Sequence, residues 1–194
     1  MLGFFALFLL VPLLSGCWDH VQIEDRAMVL AIALDKVDPE TVRKQDDVTH
    51  PSESDPLEQE PGIRLTAQIG VPGRLPLGAA EGGPMAEESP VWVVSVIGHT
   101  LDSAFSDLQQ ELADVVFFGH LRTVIVSEVM ARDGLEHLQD YMRRNPQIRR
   151  TVRLAVAEGE AAKFMHTAPP LERVPALYLT RMLESATRLG KFPK

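Results

Sequence analysis

The chain has 194 residues, 45% of them hydrophobic and 24% charged, with a net charge of −8 and a single cysteine. That apolar content supports one ordinary core, or one core with a small appendage. The acidic balance argues against general nucleic-acid binding, and one cysteine excludes a disulfide within the chain.

Residues Met1 to Leu14 are almost entirely apolar and uncharged, and the run closes on Leu14-Ser15-Gly16-Cys17. A helix crossing a hydrocarbon core needs about 20 apolar residues, so the run reads as a signal-peptide core rather than a span. Small residues let a peptidase bind the stretch extended, and the Cys17 thiol is the nucleophile that takes up a diacylglyceryl group. The expected division is therefore a lipoprotein signal peptide over 1–16 and a mature domain over 17–194, tethered at Cys17 to the outer face of a membrane. Two acyl chains, at about 0.8 kcal/mol per buried methylene, anchor a protein stably without a transmembrane helix. A signal peptide also begins with positive charge, yet no Lys or Arg precedes Arg26, which places the expected translation start upstream.

Ala27 to Asp35 is a continuous apolar run of strand length, as for a central strand covered on both faces. From 37 to 62, eight acids stand against Arg43 and Lys44, with Pro39, Pro51, Pro56 and Pro61 among few apolar residues. This composition predicts an acidic loop. Its carboxylates lack the spacing that wraps calcium. Ile63 to Val71 alternates with period two and predicts a strand with one solvated or lightly covered face, paired with the first. The Gly- and Pro-rich stretch 72–90 reads as a loop.

Val91 to Ile97 predicts a third strand, followed by a helix capped by Thr100 with Leu101, Phe105, Leu108 and Leu112 at helical spacing. Leu121 to Ser127 is strand-like. Asp133-Gly134-Leu135-Glu136 resembles a capping box opening a helix with Leu135, Leu138 and Met142 inward, closed by Arg143 and Arg144 before Pro146. Thr151 to Ala157 predicts another strand, Ala161 to His166 a short helical stretch, and Pro175 to Leu189 a last helix after Pro169-Pro170. Tyr178, Met182, Ala186 and Leu189 form its expected packing stripe, widened by Leu179 and Leu183. The sum is an α+β fold, a mixed sheet packed with helices, whose strand order the sequence does not give.

The six histidines have no metal-ligand spacing, no nucleophile elbow is present, and the lone thiol is assigned to lipid. The expectation is a protein with no catalytic residues, no metal and no cofactor. Phe117-Phe118-Gly119-His120-Leu121-Arg122 is the most distinctive internal segment. It supports either a functional contact, or a sharp turn at Gly119 with His120 and Arg122 bonded to nearby backbone. Arg143, Arg144, Arg149, Arg150 and Arg153 form a basic run with no acid between 141 and 153. It faces lipid headgroups or an acidic partner on one reading, and is a helix end followed by a solvated strand edge on the other.

Cys17-Trp18-Asp19, the strand ending in Leu34-Asp35, Phe118-Gly119-His120-Leu121-Arg122, and Pro169-Pro170-Leu171-Glu172 before Pro175 together resemble the Ger(x)C family. These are the C subunits of nutrient germinant receptors of bacterial endospores. The resemblance runs from Leu13 to about Lys191. It implies a non-enzymatic lipoprotein on the outer surface of the spore inner membrane, working with membrane-embedded A and B subunits in a complex that binds the nutrient germinant. Trp18, Asp19, Gly119, His120 and Arg122 become the expected structural or partner contacts beside the lipidated Cys17. Family members are about twice as long, so the carboxy-terminal part is expected to be absent, and the 37–62 connection is longer than the family's usual one. The rival expectation is a lipid-anchored solute-binding protein of a transporter, with the ligand in its own pocket.

Overall fold

The computed structural model describes residues 22, 25–42, 60–72, 89–167 and 172–190. The signal peptide, Cys17, Trp18, Asp19, most of the acidic segment and Pro169-Pro170 lie outside the described residues. The elements in chain order are strands β1 (Arg26–Val37), β2 (Gly62–Gly70) and β3 (Val91–Gly98), helix α1 (Leu101–Gln110), strands β4 (Val115–Phe117) and β5 (Thr123–Ser127), and helices α2 (Glu128–Asp133) and α3 (Glu136–Arg144). Strand β6 (Arg153–Ala157), a 3-10 helix (Ala161–Met165) and α4 (Pro175–Arg188) complete them.

The six strands form one mixed sheet in the order β3-β2-β1-β5-β6, with β4 also paired to β1. β2 lies antiparallel to both β1 and β3, while β4 and β5 run parallel to β1, and β6 parallel to β5. This is the expected α+β fold, with β1 central. Its even-numbered Ile32 and Leu34 pack with α1, α2 and α3 residues such as Phe105, Met130 and Leu138. Its odd-numbered Ala31 and Ala33 pack with Ala161 and Met165 of the 3-10 helix and Leu179 of α4. A strand with layers on both faces must be apolar at successive positions, which is why no alternation is visible in it.

β2 departs from expectation on the same ground. Its alternating Thr66 and Gln68 are fully buried, because the 3-10 helix and the start of α4 cover the face that the pattern leaves solvated or lightly covered. Each polar group there has a partner, as burial demands. The Thr66 and Ser95 hydroxyls lie 2.8 Å apart. The Gln68 amide donates to the Met165 carbonyl at 2.8 Å and accepts from the Ala176 N–H at 2.9 Å. The second bond caps α4, whose own N-cap, Val174, supplies none.

α1 starts as its sequence predicts. Thr100 Oγ1 accepts from the Ser103 N–H at 3.1 Å and Ser103 Oγ accepts from the Thr100 N–H at 3.0 Å, a reciprocal box that satisfies two otherwise orphaned donors. The box expected at Asp133 is absent. Ser127 instead caps α2 directly after β5, and Gly134, at φ 109°, breaks the chain between α2 and α3 in a region that disfavours side chains. Asp133 is thus a helix end, ion-paired with Lys36, and α3 opens at Glu136 behind Leu135 with no side-chain cap. Leu138 is buried as expected, and Leu135 and Met142 pack against the same core.

Two further expectations change. β4 was not anticipated; three residues carry no periodicity, and pairing with the start of β1 defines it. In α4 the buried residues are Pro175, Ala176, Leu179 and Thr180, whereas Tyr178 and Met182, and Leu189 just beyond the helix, are exposed. Thr180 is held on the inward face, its hydroxyl 2.9 Å from that of Thr123 on β5.

Candidate functional site

The 117–122 segment joins β4 to β5 through a turn in which the Leu121 N–H donates to the Phe118 carbonyl at 2.9 Å. Phe118 points into the core, edge-on to Phe105 at 5.4 Å, and its N–H donates to the Gln147 side chain at 3.0 Å. Gly119 leaves room for the Phe117 ring: a Cβ there would stand 2.3 Å from the ring tip and displace it. That ring lies under the Arg26 guanidinium, 4.6 Å from its centroid, and beside the His120 ring at 5.9 Å.

The turn reading therefore holds in part. His120 makes an aromatic contact, and the Arg122 backbone is locked, its N–H donating to Leu30 and its carbonyl accepting from Arg153. Among the described residues the side chains of His120 and Arg122 make no hydrogen bond to backbone, contrary to the expectation that went with the turn. Both are exposed.

These residues form one wall of a cleft of about 300 Å³. Gly119, His120, Leu121 and Arg122 face Arg149, Thr151 and Arg153, and α4 contributes Thr180 and Glu184. Behind the lining, the Thr180 hydroxyl lies 2.9 Å from that of Thr123 and donates to the Ala176 carbonyl at 2.7 Å. Arg153 lies 3.7 Å from Glu184. The structure thus splits the basic run. Arg149 and Arg153 join the cleft, Arg144 pairs with Asp140 on its own helix at 2.7 Å, and Arg143 and Arg150 line a neighbouring concavity that Arg149 also borders. The parallel pairing of Thr123 with Arg153 brings two separate sequence segments together, and no spacing rule within either segment could have found it.

Sequence reasoning passed over Asp35 and Gln68 as polar anchors. The Asp35 carboxylate, 2% exposed, accepts from the N–H groups of Ala161 at 2.6 Å and Ala162 at 2.9 Å, capping the 3-10 helix from β1. The signal available was an acid ending an apolar run. Elsewhere, His99 and His137 line one concavity of about 660 Å³ with Asp102, Asp140 and Tyr141. Among the described residues no three His, Cys, Asp or Glu side chains come together as a metal set. Burial raises the Tyr141 pKa above its ordinary value; a side-chain hydrogen bond with Asn145 opposes this and the charge of Asp102 adds to it.

The described side chains offer a basic cleft and two buried polar anchors, an arrangement suited to binding and assembly. Comparison with known proteins gives the family. The model of the spore germination protein N-terminal domain matches residues 19–194. YfkR of Bacillus subtilis (strain 168) is 34% identical over 95% of this chain and 46% of its own length. From the same organism, spore germination protein KC is 24% identical over 90% of this chain and 38% of its own length. Spore germination protein YndF, also from that organism, is 26% identical over 94% of this chain and 45% of its own length. The chain spans less than half the length of each of these relatives, and no solved structure matches it. With a family model covering nearly all of its residues, the chain belongs to the Ger(x)C family of spore germination proteins.

Proposed function

We propose that the chain is the amino-terminal region of a non-enzymatic lipoprotein subunit of a spore nutrient germinant receptor. Lipid on Cys17 holds it at the outer surface of the spore inner membrane, where it works with membrane-embedded A and B subunits, and the complex binds the nutrient germinant. The observation that carries this reading is the match to the germination domain over 19–194, which starts two residues after Cys17. The sheet supports it as well. Buried polar anchors on β1 and β2 hold two helical segments in place, giving a rigid body suited to docking.

Co-isolation tests the assembly. A tagged copy purified from spore membranes in mild detergent is expected to retain the A and B subunits; a tagged copy that never retains either would overturn the reading.

A further inference from the structure

The cleft beside His120 carries a sign opposite to that of the chain. Arg122, Arg149 and Arg153 face a single carboxylate, Glu184, on a protein of net charge −8. Glu184 stands against Arg153 alone, and among the described residues the Arg122 and Arg149 side chains have no ion pair or hydrogen bond. Like charges gathered at one concavity repel, and an anion between them relieves that repulsion while accepting charge-assisted hydrogen bonds.

The cleft is also placed rather than incidental. Arg122 is fixed by backbone bonds to β1 and β6, and the Arg149 carbonyl accepts from the Val152 N–H at 3.2 Å. At about 300 Å³ it lies at the lower limit of ligand pockets, large enough for a headgroup and too small to bury a larger molecule. Because β4, β5 and β6 run parallel to β1, their starts point the same way, β4 opposite Arg26 and β5 and β6 level with Ala31. Arg122 bonds Leu30, about 13 Å along β1 from Arg26. From Arg26 back to Cys17 the chain extends at most about 30 Å. The cleft therefore lies in the half of the sheet nearer the start of β1, the side from which the chain leads toward Cys17.

We propose that this cleft binds the phosphate of an anionic phospholipid headgroup, with Arg122 and Arg149 pairing its oxygens and His120 and Thr151 at the rim. The orientation rests on lipid attachment at Cys17; the binding does not, and the two are tested apart. The full chain carrying Cys17→Ala is mixed with vesicles of phosphatidylcholine alone and with an equimolar mixture containing phosphatidylglycerol. Any contribution of the apolar amino terminus is common to both compositions, so the difference between them reports the response to lipid charge, which the variants assign to the cleft or to another surface.

Tighter binding to the anionic vesicles is expected, reduced about fivefold by each of Arg122→Ala and Arg149→Ala, the scale for one basic residue at an anionic surface. Arg143→Ala with Arg150→Ala, exposed outside the cleft, should leave the increment unchanged. An equal loss from that pair would overturn the proposal, as would equal binding to both compositions. Binding of inorganic phosphate, seen by broadening of its phosphorus resonance, without a phosphatidylglycerol increment would overturn the lipid assignment. Mass spectrometry of the wild-type protein tests Cys17 acylation separately.

Discussion

At the scale of single residues, the buried polar groups decide how the covering layer is held. Asp35 ends the apolar run of β1 and reaches across to two backbone N–H groups of the 3-10 helix, one of them fully buried. Removing the carboxylate leaves both donors without an acceptor, so Asp35→Ala is expected to cost about 1.5–3 kcal/mol, the range for hydrogen bonds to a charged group. Urea unfolding of wild type and variant checks this; a shifted midpoint with an unchanged slope is the expected result. The acid was legible in the sequence as an oddity within an apolar stretch, but its partners 126 and 127 positions away were not. Gln68 teaches the same lesson: its alternation with apolar neighbours implied a solvated or lightly covered face, and full burial against Met165 and Ala176 replaced it.

At the scale of elements, local signals were reliable where the chain satisfies its own backbone groups and unreliable where a distant surface does so. α1 was readable because Thr100 and Ser103 cap it from within four residues. The position of α4 and its inward Leu179 were readable, whereas the exposure of Tyr178 and Met182 was not, because the surface facing the helix includes residues as remote as Thr123, 57 positions away. The α1–α3 contact carries a pH dependence. Tyr141 on α3 stacks on Phe105 of α1 at 4.1 Å, and burial raises its pKa. An unfolded tyrosine loses its proton near pH 10, while the folded one keeps it, so the folded state binds more protons above that pH. The stability linked to this group is thus full below about pH 10 and is lost as pH rises through the raised folded value. Tyr141→Phe removes the ionisable group and should flatten the alkaline fall of the thermal midpoint; an equally steep fall in the variant would contradict the assignment.

At the scale of the whole molecule, the sheet order β3-β2-β1-β5-β6 puts the long apolar strand β1 in the middle and the cleft beside Leu30, in the half of β1 nearer its start. On the function proposed above, Cys17→Ala is expected to release the protein from the spore membrane and impair nutrient germination while leaving the unfolding transition unchanged. Normal nutrient germination with the variant as sole copy would count against the anchor. The sequence by itself determined the α+β class, most element positions, the capping of α1 and the motifs of the Ger(x)C family, because propensity, periodicity and short-range capping act within a few residues. Only the tertiary structure decided the strand order, the burial of Thr66 and Gln68, the remote capping by Asp35, and the meeting of Arg122 with Arg149 and Arg153. Those depend on which surfaces lie against each other, and a linear pattern records how polar a residue is without recording what will cover it.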